Sequence, residues 1–342
     1  MPKNIGNMIS GSGPGSVPIN PSIVDGALDG VFNLIDQQFL SVKTAWPSPT
    51  PDVTSTGGTK VNSPSYIYHV FTSPDNFQVS AAPSPTMNVD YLIVGGGGGG
   101  GGSYGPPNYG AGGGGAGGFR TGSYTVNTDN TQYPVAIGGG GGTSPPANSN
   151  GSPSTAFSVT SAGGGRGASF PGVAAGNGGS GGGAIPYEGA NSQGSGNNPP
   201  VSPPQGNPGG PSSQPVGGGG GGAGAQGGPG AGSPNANRGL GGDGLAAFSG
   251  DTELPSSYGD SGPSAGRFFA GGGGGGNYSE STAPETGTGG AGGGGKGGYN
   301  GGPTVSAGGA NTGGGGGGSG GPGPNQGDPG GSGVVIVRYP RS

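Results

Sequence analysis

The chain has no cysteine and a single histidine, His69, in 342 residues. The first absence removes disulfide staples and thiolate metal sites and leaves the redox compartment open. The second excludes a histidine-based catalytic triad and any multi-histidine metal site. His69 stands in a strand-like run and reads as a half-buried sheet residue. Charge is also scarce: charged residues make up 7%, with 10 basic against 15 acidic side chains and a formal net charge of -5. No basic stripe exists to meet a phosphate backbone, which argues against nucleic acid as a partner. No stretch approaches the ~20 apolar residues of a spanning helix, so no membrane insertion is expected. The opening Met1-Pro2-Lys3-Asn4-Ile5-Gly6 lacks the apolar run of a secretory signal, so any role outside a cell is expected to follow lysis or another route.

What is abundant is glycine, 99 residues of 342, with 36 prolines. That bias without a triplet period usually means low complexity or disorder. Disordered chains, however, commonly stay solvated through high charge, which this one does not have. Two readings therefore stand side by side, a disordered chain and a fold built from bare main chain. Either offers few side chains for chemistry. No nucleophile-base pair can be assembled, so no enzyme and no cofactor is expected.

Composition divides the chain. Residues 1–60 form a docking or oligomerisation segment with one helical candidate over 21–42, opened by Asn20 and Pro21 in the N-cap and first-turn positions. Val24, Leu28, Val31 and Ile35 repeat at spacings of four and three, an apolar stripe that packs on its own domain or forms a short coiled coil or docking helix. Gly26 and Gly30 weaken an isolated helix by about 1 kcal/mol each, so a partner surface is required. Residues 61–342 form a glycine-rich domain: a β module over 61–94, tracts and loops over 95–332, and a closing strand over 333–339. Ile67–Phe71 and Phe77–Val79, separated by the turn-rich Thr72–Asn76, read as a hairpin. Val89–Val94, Tyr124–Val126, Val135–Ile137, Phe157–Val159 and the apolar Val334–Val337 are further strands. They make one small sheet or sandwich whose last strand pairs with strands more than two hundred residues earlier.

The glycine tracts begin at Gly95, Gly112, Gly138, Gly163, Gly181, Gly217, Gly271, Gly292 and Gly313. Their irregular spacing argues against a solenoid of fixed period, and the Gly-X-Y triplet of collagen is not kept. A polyglycine II helix has three residues per turn, ~3.1 Å rise and no internal hydrogen bonds, so its amides point outward. With no Cβ on any side, such helices can lie close enough for each amide to reach a neighbour's carbonyl. Ordering a residue's backbone costs about 1–2 kcal/mol, and glycine lies at the costly end. A backbone hydrogen bond returns about 0.5–1.5 kcal/mol and a Cα–H···O contact about 0.5–1 more. A lone tract cannot stand, but a bundle clamped by a β module can. The fold class expected is therefore mostly β and irregular, a small β module bracketing a polyglycine II bundle, with a short N-terminal helix. Gly95, Gly98, Gly102, Gly138, Gly217, Gly271 and Gly313 mark its scaffold.

Look-alike motifs fail. Tyr91-Leu92-Ile93-Val94 followed by glycines imitates a dinucleotide-binding turn, but Ser103-Tyr104-Gly105-Pro106-Pro107 follows where a helix is needed. Lys296 is followed by glycine where a phosphate loop needs Ser or Thr. Asp251, Glu253, Asp260, Glu280 and Glu285 read as solvated loop surface; calcium is the alternative, although their spacing fits no recognised loop, and no metal ligand set is assigned. Tyr104, Tyr109, Tyr187, Tyr258, Tyr278 and Tyr299 lie between tracts, with Phe170 and Phe248. Tyrosine supplies contact area at low entropic cost, as in recognition loops, and the alternative is that these rings cap the bundle's ends.

The progression Tyr68-His69-Val70-Phe71, Phe77-Gln78-Val79, Val89-Asp90-Tyr91-Leu92-Ile93-Val94-Gly95, Gly117-Gly118-Phe119-Arg120, Val135-Ala136-Ile137-Gly138-Gly139 and Gly333-Val334-Val335-Ile336-Val337-Arg338-Tyr339 resembles the glycine-rich domain of bacteriophage tail-fibre and tail-tip proteins. A looser likeness is to the tip adhesins of T-even-like phages. That resemblance implies a virion protein whose loops, here 103–110, 184–216, 245–267, 277–288 and 299–312, face a host receptor. The receptor would be a glycan or an outer-membrane protein. Other tail proteins, and a homotrimer of the chain itself, are the further partners expected. A virion decoration or filament without receptor is the alternative, and ice binding a distant third.

Overall fold

The structure is a computed structural model describing residues 52–103, 109–143, 148–187, 192–230, 238–278, 287–300, 305–321 and 326–341. Val24, Leu28, Val31, Ile35 and the helix predicted over 21–42 lie outside the described residues, as does Tyr104. The described residues belong to one compact unit that begins at Asp52. They are mostly β-strand and extended chain, and the 3₁₀ turn Ala247–Ser249 is the one helical element among them.

Strand pairing builds a sandwich. The larger sheet contains β2 (Thr59–Asn62), β3 (Tyr66–Phe71), β5 (Thr86–Val94), β6 (Phe119–Asn127) and β12 (Val334–Pro340), in the order β2-β3-β12-β5-β6. The smaller is β1 (Thr54–Thr56), β4 (Asp75–Ala81) and β7 (Gln132–Val135), in the order β1-β4-β7. In β4 Phe77 and Val79 are buried while Asn76 and Ser80 are exposed, the two-residue alternation of a strand covered on one face. Leu92-Ile93-Val94 and Val334–Val337 are buried throughout because both faces of the larger sheet are covered. The closing strand is central: Val335 lies opposite both Phe71 and Ile93.

Phe71, Phe77, Val79, Tyr91, Ile93, Val335, Val337 and Tyr339 fill the space between the sheets. His69 lies here too and is fully buried, not half-buried as its sequence context suggests. Its Nδ1–H donates to the Gly57 carbonyl at 2.6 Å and its Nε2 accepts from the Ser55 hydroxyl at 2.8 Å. Ser55 in turn meets the Tyr339 hydroxyl at 2.5 Å. Burial first of all holds the imidazole's pKa below its ordinary value. The group is a neutral latch that ties β1 to β3 and β12.

Two strand expectations need correcting. β3 and β4 do not pair as a hairpin; Thr72–Pro74 carries the chain from the larger sheet to the smaller. Phe157 is not in a strand. It and Ser158, at φ 52 and 60, form the two-residue turn between β8 (Ser154–Ala156) and β9 (Val159–Ser161). The Phe157 ring folds back to stack on Tyr124, 4.8 Å between centroids.

β5 runs directly into the first glycine tract. Gly95, Gly98 and Gly101 donate their amides to Gly118, Gly115 and Gly112; Gly96 and Gly99 donate to Ser152 and Ser149; Gly97 and Gly100 donate to Gly331 and Asp328, all at 2.8–3.1 Å. Every third residue meets the same neighbour, which is the repeat of a three-residue helix. The carbonyls of this tract accept from three further segments, at Gly164 and Gly167, at Gly141, and at Gly316 and Ser319. One tract thus has six neighbours, the coordination of a hexagonal bundle. The neighbours to which it donates run antiparallel to it, and those from which it accepts run parallel.

A Cβ on Gly98 would overlap the Gly165 carbonyl, on Gly138 that of Ser152, on Gly217 that of Ala111 and on Gly271 that of Gly290. Gly95 is packed likewise against Ala162, and Gly102 donates to the Ser169 hydroxyl at 3.0 Å. Gly313 sits at φ +71 beneath the Val94 side chain, where a β-carbon has neither the space nor the backbone geometry.

Candidate functional site

The bundle has two ends. One abuts the sandwich; the other is reached by Ser103, which bridges to Phe170. At this remote end Gly110 and Tyr278 donate to the Pro215 carbonyl, and Asn277 bridges to Tyr299 and to Val216. Tyr109, Tyr187, Tyr278 and Tyr299 are therefore all placed there, each half-buried.

Tyr109 and Tyr187 are brought together with Phe170. The Phe170 and Tyr187 rings meet edge to face at 4.9 Å, and Tyr109 lies 6.2 Å from Phe170 and 6.1 Å from Tyr187. They rest on Ala111, Ala168 and Ile185. The fold positions them largely through main chain: Ala168 donates its amide to Gly183, Phe170 to Gly102 and Ala184 to Gly210, so three tracts deliver the rings to one place, and the buried Ser169 and Asn148 side chains brace the segment that carries Phe170. Gln214 Nε2 donates to the Tyr109 hydroxyl at 3.1 Å, and among the described residues the Tyr187 hydroxyl holds no hydrogen bond. Such a surface combines rigid, amphipathic rings with a phenol, large contact area at low entropic cost. Ile185 and Gln214 were not foreseeable as parts of it, although Ile185 is conspicuous as an aliphatic residue in a stretch rich in Gly, Ser and Pro.

Tyr258 lies elsewhere. The segment 245–269 carries β10 (Leu245–Ala246) and β11 (Phe268–Phe269), which pair, and it covers the outer face of the larger sheet. Tyr258 and Phe248 pack there against a core of Tyr68, Leu92, Phe119, Ile336, Ala247, Leu254 and Phe269. Asp251, read from sequence as solvated surface, has a side chain only 5% exposed because it accepts from Arg338 and from the Tyr68 hydroxyl, each at 2.5 Å. Arg338 also reaches Asp90 at 3.3 Å, and its guanidinium lies between the Tyr66 and Phe248 rings, 4.2 and 4.1 Å from their centroids. Burial, and then the Asp251 hydrogen bond, push the Tyr68 phenol well above its ordinary pKa. Among the described residues no group of three acidic or histidine side chains could hold a metal ion, and no helix is long and apolar enough to cross a membrane.

A β-sandwich whose strands run out into a laterally bonded glycine bundle defines a glycine-rich scaffold domain. Residues 72–340 match the glycine-rich domain family, and the chain belongs to it. No curated protein matches the chain.

Proposed function

We propose that this chain is a bacteriophage tail-fibre or tail-tip adhesin, a virion protein that acts without catalysis and presents the remote end of its bundle to a host cell-surface receptor, a glycan or an outer-membrane protein. One observation supports this above the others. The scaffold is held mainly by main-chain bonds from tract to tract, while an aromatic cluster whose Tyr187 hydroxyl holds no hydrogen bond among the described residues is carried at the end away from the sandwich. Loops on such a frame can change to suit a receptor at little cost to folding. Residues 1–60 would then join the chain to other tail proteins or to two further copies of itself.

The test is competition: purified protein added to host cells should block adsorption of the phage that encodes it, and Tyr187→Ala should reduce that block. Full blocking by the variant, or none by the native protein, contradicts the reading. A purely structural fibre is the second reading, favoured by β6, an edge strand of the larger sheet whose outer side is bonded at its ends, Phe119 to the Gln205 carbonyl and Asn127 to the Tyr133 hydroxyl, but pairs with no described strand. Concentration-dependent filaments without adsorption would support it.

A further inference from the structure

A groove of about 560 Å³ opens between the outer face of the larger sheet and the segment 245–269, and none of the tyrosines of the bundle's remote end lines it. Its floor is a polar row across the sheet, in which Asp90 lies opposite both Arg338 and Ser123. Ser123 donates to Asp90 Oδ1 at 2.7 Å and Arg338 reaches Oδ2, so the carboxylate, 42% exposed, is fixed in direction with acceptor capacity left over. Its wall is Phe248, which lines the groove while its other surroundings include the Arg338 guanidinium.

Phe248 and Ser249 stand at φ 46 and 57, consecutive left-handed conformations that ordinary side chains avoid. Strain of this kind persists where the surroundings impose it, and it clusters at binding sites. Thr121, Ser249 and Ser264 line the same groove, are exposed, and hold no side-chain hydrogen bonds among the described residues.

We infer that this groove binds a neutral saccharide. A ring face, an oriented carboxylate and uncommitted hydroxyls suit a ligand that is apolar on its C–H face and ringed by hydroxyls. The charge balance speaks against an anion: Asp90 and Asp251 face the one guanidinium of Arg338, and the covering segment adds Glu253 and Asp260 against Arg267 alone, whose guanidinium is bonded to the Tyr258 and Gly259 carbonyls. A free cation would find no unpaired carboxylate in the groove, because Arg338 lies against both Asp90 and Asp251 and takes a face of Phe248; the lone pairs left on Asp90 can accept from hydroxyls. The inference does not depend on the attachment role.

Saturation-transfer NMR on the full chain tests it. The probes are the methyl glycosides of glucose, mannose and galactose and N-acetylglucosamine, with N-acetylneuraminic acid as the anionic probe and choline as the cationic one. At least one neutral sugar should bind, and both charged probes should fail. Phe248→Leu, which keeps apolar bulk, and Thr121→Arg, which fills the groove from an exposed strand position, should each weaken that binding about tenfold or more. Thr121→Arg should leave the melting temperature close to native. No neutral sugar bound, stronger binding of either charged probe, or binding undiminished in the folded Thr121→Arg protein would overturn the inference. Sugar binding by a protein that fails to block adsorption would leave it standing and count against the adhesin reading only.

Discussion

Gly98 and Gly165 lie so close that a methyl group on the first would overlap the carbonyl oxygen of the second. Gly165 belongs to a segment that runs parallel to the first tract, and its neighbour Gly164 donates to Gly96 at 2.8 Å. The approach is what allows main chain to replace side chains as the interior, and it makes glycine at these positions a steric requirement.

Substitutions should therefore split by position. Gly98→Val forces two backbones apart and should destabilise the domain by at least about 2 kcal/mol. Gly139, in a tract of the same kind, has nothing within 4 Å of a built Cβ. Gly139→Ala should be neutral or stabilise by about 0.4–1 kcal/mol by narrowing the unfolded ensemble. Thermal melts of the two variants check the contrast.

His69 predicts a pH dependence with a definite sign. Its pKa is lowered in the folded protein, so below the ordinary value of 6.5 the unfolded chain takes up a proton that the folded chain refuses. Stability should be constant above that pH, fall as pH drops below it, and level off below the folded value. Asp328, raised by burial, acts in the opposite sense, stabilising the folded state as pH falls through its own range. With one histidine in the chain, an NMR titration isolates the effect. An imidazole titrating at or above its ordinary value would refute it.

Asp251→Ala removes the acceptor shared by Tyr68 and Arg338 and leaves a guanidinium, 12% exposed, with Asp90 as its remaining anionic partner. Breaking such a pair costs about 3–5 kcal/mol, and denaturant unfolding should show a loss of that size. Arg338→Lys should not behave as a conservative change, since an ammonium lacks the planar fork held between Tyr66 and Phe248.

At the remote end, Tyr187→Ala should leave the melting temperature nearly unchanged while weakening adsorption. The opposite pattern, a large fall in melting temperature with adsorption intact, would make these rings end caps of the bundle.

Much of the sandwich is legible in the sequence. Leu92-Ile93-Val94 and Val334–Val337 are continuous apolar runs, which announce strands buried on both faces, and their pairing across the whole bundle follows from there being so few such runs. Local signals mislead elsewhere. Thr72–Asn76 has the composition of a hairpin turn, but composition does not say whether a turn stays in its sheet or leaves it. Phe157 looks like a strand residue because it is aromatic, and only its backbone reveals the turn. Asp251 looks solvated because its partner lies 87 residues further on. Least legible is which tract bonds to which, since lateral bonding depends on positions that carry identical residues.

Amide hydrogen exchange resolved by residue tests the central claim most directly. Gly96, Gly97, Gly98, Gly114, Gly115, Gly273 and Gly316, each bonded to another segment, should exchange far more slowly than in an unstructured peptide and be protected together, as one cooperative unit. Exchange of these glycines at random-coil rates, with protection confined to the strands of the sandwich, would contradict the account.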